Sequence, residues 1–292
     1  MKPFAIITDS CCSLNASEIK ELGIIVLPLS YTIGGKTYLD TPDHSALSPE
    51  AFFEKIQAGQ DCTTAAVNIS QYLEAMRREL DAGKDILCIC FSSALSCTYQ
   101  NARIAADELR EEYPDSGILV VDSLSACRGM GMLIARTVSE QREKNLNLEQ
   151  TAQFVLQERT HQAHWFFVED LNHLHRGGRV SKLAAVAGSV LHIKPIMHCD
   201  AEGKLTVAGK ARGANAAVKE LIGKMKELCL SQDSEQAVYI CHANCPQYVQ
   251  KISQSLKEEF GITDVRVDYI CPVIGAHTGC GTVGLFFAGK SR

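Results

Sequence analysis

No stretch of this 292-residue sequence approaches the ~20 consecutive apolar residues that a membrane-spanning helix needs. The opening Met1-Lys2-Pro3-Phe4-Ala5-Ile6-Ile7-Thr8-Asp9 lacks an apolar stretch of signal-peptide length, so a cytoplasmic protein without an integral membrane segment is expected. Nor is there a block of consecutive Lys or Arg that could track phosphates. With 29 basic residues against 34 acidic ones the net charge is −5, which argues against nucleic acid as a partner. Paired CxxC motifs are missing too; Cys241-His242 and Cys245 come nearest, and without a second pair they do not make a zinc site. The letters of G-x-G-x-x-G at Gly279 to Gly284 and of a Walker loop at Gly284 to Ser291 run into or through an apolar strand-like run and open no helix, so the nucleotide-binding fingerprints are not met and nucleotide binding by this chain is unsupported. The absence of a G-x-S-x-G elbow leaves an α/β-hydrolase triad unsupported. No cofactor or metal is expected.

Cysteine, by contrast, is abundant. The thirteen residues are scattered, and pairs such as Cys88 and Cys90 sit in a strongly apolar run, which fits reduced, buried thiols acting as small hydrophobes rather than a disulfide framework. Apolar residues at 46% and charged ones at 22% are ordinary for a globular protein, and the length allows one large domain or two of common size.

Phe4–Asp9, a helix near Ser17 to Leu22, and Ile24–Leu29 read as an opening β-α-β. Apolar runs at Ile86–Phe91 and Ile118–Asp122 alternate with amphipathic stretches around Tyr72 to Leu80, Ala102 to Glu112 and Gly131 to Arg142. Such alternation predicts a parallel sheet covered on both faces. Asn147-Leu148-Glu149-Gln150 has the spacing of a capping box and starts a helix running to about Thr160. A domain boundary is placed there, giving an N-terminal α/β domain over 1–160 and a C-terminal one over 161–292. In the second part, Pro195–Cys199 and Leu205–Ala208 flank Asp200-Ala201-Glu202-Gly203 as a hairpin. A helix near Ala214 to Leu228, strands at Val238–Ile240 and Val265–Val267, and a helix starting at Pro246 complete a mixed sheet.

Four polar stretches stand where open α/β sheets place ligands: Thr8-Asp9-Ser10, Cys62-Thr63-Thr64, Ser92 to Tyr99, and Gly275 to Gly281. Ser92 to Tyr99 joins a buried strand to an amphipathic helix, so its hydroxyls could grip an anion or simply cap the helix. His277 lies among glycines, which suggests close backbone approach or positive φ. Arg176-Gly177-Gly178-Arg179 could clamp a carboxylate or phosphate, or be a solvated turn.

Seven segments in order resemble the DegV family of bacterial fatty-acid-binding proteins. They are Ile7–Ser10, Thr64–Asn68, Ser92–Ala102, Val121–Ser123, Leu174–Ser181, Ile193–Ile196 and Val273–Gly279, spread over nearly the whole chain. The resemblance implies two α/β domains, N-terminal parallel and C-terminal mixed, with a long-chain fatty acid in a tunnel between them. It implies a non-catalytic lipid-binding subunit that carries the acyl chain to a fatty acid kinase. Carried over residue by residue, the carboxylate would meet Thr64, Ser96 (with Ser93 the second choice) and His277, and Arg179 would be the arginine of the family's Gly-Gly-Arg, a contact for phosphate or partner. Ala65-Ala66 and Cys97 depart from the family's usual Ser-Gln and Gly, which bears on acyl preference and loop shape. The alternative is an enzyme acting on a small phosphorylated or hydroxylated metabolite with His277 as base. A purely regulatory interaction module is a third.

Overall fold

The computed structural model describes residues 2–169, 171–181, 192–230 and 237–292. The first βαβ unit is as the apolar pattern predicts: β1 (Phe4–Asp9), α1 (Ala16–Leu22) and β2 (Ile25–Leu27), with α1 started by a reciprocal Asn15–Glu18 capping box and stopped by Gly23 at φ 66°. Next comes a small antiparallel sheet that the sequence reading lacked. β3 (Ser30–Ile33) and β4 (Lys36–Leu39) turn at Gly34-Gly35, both at positive φ, as a two-residue hairpin requires. After α2 (Pro49–Gln57), β5 (Cys62–Ala65) returns along β3, so the polar stretch Cys62-Thr63-Thr64 is an edge strand with Thr64 opposite Tyr31.

Then follow α3 (Ile69–Asp81), β6 (Asp85–Cys90), α4 (Thr98–Glu112) and β7 (Ile118–Asp122). The order β2-β1-β6-β7 is parallel throughout, and its central strands β1 and β6 carry five buried residues in a row, the mark of a sheet covered on both faces. α5 (Cys127–Lys144) is buried at every position from Cys127 to Ile134, because it packs both against α6 (Leu148–Glu158) and against strands of the second sheet. The Asn147–Gln150 capping box that starts α6 is formed.

The second part holds β8 (Gln162–Phe167), α7 (Asn172–Arg176), β9 (Ile193–Cys199), β10 (Leu205–Arg212), α8 (Ala214–Leu228), β11 (Val238–His242), α9 (Pro246–Phe260), β12 (Val265–Tyr269), α10 (Pro272–Thr278) and β13 (Val283–Ala288). Its sheet runs β10-β9-β8-β13-β11-β12, antiparallel except for β11 with β12. The fold is therefore mixed α/β, with a parallel sheet in the N-terminal part and a mixed one in the C-terminal part.

Three polar ties join distant segments. The Ser92 hydroxyl donates to the Gly203 carbonyl at 2.9 Å, and Gly203, at φ 77°, has no room for a Cβ beside that hydroxyl. Arg128, 1% exposed, spans from the Ser13 carbonyl to the Glu18 carboxylate at 2.6 and 2.8 Å, and lies over the Tyr239 ring. The Arg292 guanidinium donates to the carbonyls of Ser123, Leu124, Arg159 and Asp200 and to the Ser125 hydroxyl. No helix among the described residues is long and apolar enough to cross a membrane.

Candidate functional site

The two parts of the chain enclose a cavity of about 320 Å³, at the lower end of the size range of small-molecule sites. Leu29, Phe91, Leu95 and Ala126 line it from the N-terminal part; Phe166, Leu174, Ile270, Val273 and Phe286 line it from the C-terminal part. Thr64, Ser96, His277 and Arg179 also line it, so residues from β5, the β6–α4 loop, α10 and the turn after α7 converge on one space.

Thr64 Oγ1 and His277 Nε2 are 2.8 Å apart. Both are held from behind. β5 is fixed by its register with β3, whose buried Tyr31 packs edge-on against Phe52 of α2. α10 is drawn onto α2 at Gly275, where a Cβ would lie 2.8 Å from the Phe53 ring. His277 is thus on a helix rather than in a loop. The glycines around it do carry close approach, at Gly275, and positive φ, at Gly279 and Gly281. Burial, then the nearby Arg179 and His173, push the His277 imidazole down to about 4, so it is neutral at physiological pH and offers a hydrogen bond rather than a charge.

The two glycines of Arg176-Gly177-Gly178-Arg179 serve different ends. Gly178 has φ 75° and open space around it, a backbone requirement. Gly177 has an ordinary helical φ of −71°, but a Cβ there would sit 3.0 Å from His277 Cε1 and closer still to Nδ1, so its missing side chain is what admits the imidazole. Arg179 then folds back, Nε donating to the Leu95 carbonyl at 3.1 Å and Nη1 to the Gly177 carbonyl. It lines the cavity on one side and a shallower groove with Gly178, Val180, Ser181, Lys204 and Thr206 on the other.

Ser96 has two duties. Its hydroxyl accepts from the Thr98 N–H at 3.2 Å and shares a hydrogen bond with Thr98 Oγ1 at 2.8 Å, steadying the start of α4, while its side chain borders the cavity. Ser93 is exposed, anchored by its backbone N–H to Asp122, and does not border the cavity. Ala65, Ala66 and Cys97, the departures from the family pattern, all line it.

Sequence reasoning passed over the opposite wall. Cys127, Cys199 and Cys241 line the cavity there, as does His164, whose Nδ1–H donates to the Gln162 carbonyl at 2.7 Å. Burial, with Arg292 nearby, lowers His164 to about 3, so it too is neutral. Cys241 and His242 face opposite sides of β11: Cys241 reaches the cavity, while His242 packs on the Tyr269 ring. The signal was present in the alternation of Val238–His242, but which face met a cavity depended on the neighbouring strands. Ten of the thirteen cysteines are buried.

Fold and site together define a class: a mixed α/β chain enclosing a mostly apolar cavity with a hydroxyl–imidazole pair and an arginine in its wall. Within that class the chain belongs to the DegV family, whose model matches residues 3–290. It is 36% identical over 292 residues to a DegV domain-containing protein of Clostridium perfringens, covering 100% of this chain and 99% of the relative, and 35% identical over 290 residues to one from Lactococcus lactis, covering 99% of both. Among solved structures, a Thermus thermophilus DegV family protein described by its fatty acid binding superposes with a TM-score of 0.86 at 27% identity, over 99% of this chain and 100% of that one. A fatty acid binding DegV family protein from Streptococcus agalactiae shares the fold at a TM-score of 0.86 and 24% identity, each chain covered in full.

Proposed function

We propose that this protein holds one long-chain fatty acid in the cavity, carboxylate toward Thr64, Ser96 and His277, and presents that carboxylate to a fatty acid kinase, which catalyses the phosphoryl transfer. The observation that carries the reading is the Thr64–His277 pair, 2.8 Å apart in the wall of an otherwise mostly apolar cavity. Burying an acyl chain gains ~0.8 kcal/mol per CH₂, on the order of 10 kcal/mol for a long chain before costs. A hydrogen bond to the charged head contributes ~1.5–3 kcal/mol, comparable with its desolvation. The chain therefore sets affinity and the polar residues set orientation. Fatty acid binding by the Thermus thermophilus relative supports the same reading.

In this reading residues 1–160 and 161–292 act as two domains with the acyl chain between them, and the cavity lining drawn from both parts supports it. Ser96 rather than Ser93 makes the contact, since Ser96 borders the cavity. A cytoplasmic location goes with it. Arg179 stands between the cavity and the open groove, where a planar cation suits a nascent acyl phosphate or an acidic partner surface.

Organic extraction of purified protein followed by mass spectrometry tests the ligand: one fatty acid per chain is expected, and an empty protein that instead binds a polar metabolite would favour the enzymatic alternative. For presentation, Arg179→Ala should bind fatty acid nearly normally yet lose most acyl phosphate formation with a cognate kinase and ATP, with Arg179→Lys a poor rescue. Loss of fatty acid binding by Arg179→Ala would place Arg179 in the acyl site instead.

A further inference from the structure

Two thiols meet in the wall of the acyl cavity. Cys127 Sγ and Cys241 Sγ lie 3.4 Å apart, and both residues line the cavity. Other close thiols do not share that position: Cys88 and Cys90, 3.5 Å apart, are neighbours on β6 and do not line it. Cys127 begins α5, an 18-residue helix, so the helix N-terminus and the Arg128 guanidinium beside it favour a thiolate. Its backbone is held at φ 54°, an uncommon conformation for a residue with a side chain. The Ser13 hydroxyl donates to its sulfur at 3.6 Å. Burial opposes ionisation, but the contact with Cys241, the Ser13 hydroxyl and the charge of Arg128 outweigh it, leaving Cys127 below its ordinary thiol range and Cys241 well above it. One sulfur is suited to attack, and the other keeps its proton until a strong base such as a departing alkoxide takes it.

Position along the chain follows from the strands. Cys241 pairs with Gly284, and a Cβ on Gly284 would come within 2.9 Å of its sulfur, so the sulfur fills the space a side chain would take. Gly284 lies two residues beyond Thr282, whose hydroxyl donates to the Thr278 carbonyl next to His277. At ~3.4 Å per residue the thiols face a point roughly 7 Å further along β13. An acyl chain with its head at His277 would run through the cavity whose wall holds both sulfurs, and polyunsaturated acyl chains form hydroperoxides along their length.

We propose that Cys127 and Cys241 are a dithiol that reduces a hydroperoxide borne on the bound acyl chain, an inference that rests on the fatty acid reading above. The Cys127 thiolate attacks the terminal peroxide oxygen, the O–O bond breaks, and the departing alkoxide takes the Cys241 proton. Cys127 is now a sulfenic acid. The Cys241 thiolate attacks its sulfur and expels hydroxide, which takes up the proton that Cys127 released on ionising. In sum, two thiols and one fatty acid hydroperoxide give one disulfide, one hydroxy fatty acid and one water. The two electrons come from the thiols, and each chain turns over once until it is reduced again.

The test treats reduced wild-type protein with linoleic acid hydroperoxide or with hydrogen peroxide, beside a calorimetric titration with palmitate. One equivalent of hydroxy acid and a Cys127–Cys241 linked peptide are expected. The lipid hydroperoxide should react at least about tenfold faster than hydrogen peroxide, because the cavity holds it against the sulfur, and palmitate should slow it. Cys241→Ala should stop at a sulfenic acid that dimedone traps, whereas Cys127→Ser should leave the lipid peroxide intact; the peptide mapping on wild-type protein stands whether or not these variants fold. Palmitate binding without thiol oxidation, a disulfide mapped to other cysteines, or equal rates for the two peroxides would overturn this inference alone. Failure of palmitate to bind would overturn it together with the fatty acid reading.

Discussion

Gly177→Ala puts one methyl group where the His277 ring now lies, at a position whose φ of −71° any residue accepts, so the added volume is the whole perturbation. Either the α7 turn shifts or the imidazole does. Overpacking of this kind costs ~1–3 kcal/mol, and α10 cannot retreat because Gly275 is already against Phe53. The imidazole should therefore swing away from Thr64 and break the 2.8 Å contact. If that pair holds the carboxylate, the loss of one charge-assisted hydrogen bond worth ~1.5–3 kcal/mol weakens binding roughly 10- to 150-fold. Gly178→Ala is the control: it strains a backbone at φ 75° by ~1–2 kcal/mol but has nothing within 4 Å to displace. Titration calorimetry with a long-chain fatty acid, beside thermal melts, separates the two. The expected pattern is weakened binding with a modest melting shift for Gly177→Ala, and near-normal binding with a comparable shift for Gly178→Ala. Equal affinities for Gly177→Ala and the wild type, with the fold intact, would refute the idea that this glycine exists to seat His277.

Thr64→Ala and His277→Ala should each weaken fatty acid binding by a similar roughly 10- to 150-fold with little change in melting, while Ser96→Ala should also lose ~1 kcal/mol of stability, because its hydroxyl steadies the start of α4; unchanged affinity in all three would remove the head-group assignment. Arg128→Met should destabilise by about 3 kcal/mol in urea unfolding, since it strands the Glu18 carboxylate and the Ser13 carbonyl, and a change below 1 kcal/mol would show that the pair contributes little. Burial raises both Asp9 and Asp40 to about 7, so the folded state favours their protons. That stabilisation is full below the ordinary value of 3.8 and is lost as pH rises through about 7, so these two groups should make unfolding midpoints fall between about pH 4 and pH 7 and add no further change above about pH 8. Asp40→Asn should flatten that fall in part, leaving the share of Asp9, and an unchanged slope would mean that Asp40 keeps its charge throughout.

Local chemistry along the chain determined much of the fold. Unbroken apolar strands at Ile86–Phe91 and Ile118–Asp122 announce a parallel sheet because both faces must be covered, and the Asn147–Gln150 spacing announces a helix start because two backbone N–H groups need partners there. The motifs also pointed to Thr64, Ser96, His277 and Arg179 before any of them could be seen to share a cavity. Tertiary structure decided the rest. Short, half-buried β3, β4 and β5 carry too little periodicity to be read alone, and only their pairing makes Thr64 a strand residue facing α10. The two glycines of Arg176-Gly177-Gly178-Arg179 are the same letter in sequence, yet one is required by its own backbone and the other by a histidine a hundred residues away. Likewise Cys127 and Cys241 are ordinary apolar cysteines in sequence; the packing of α5 on the second sheet brings their sulfurs together in the cavity wall, because contact between distant segments is a property of packing and not of local pattern.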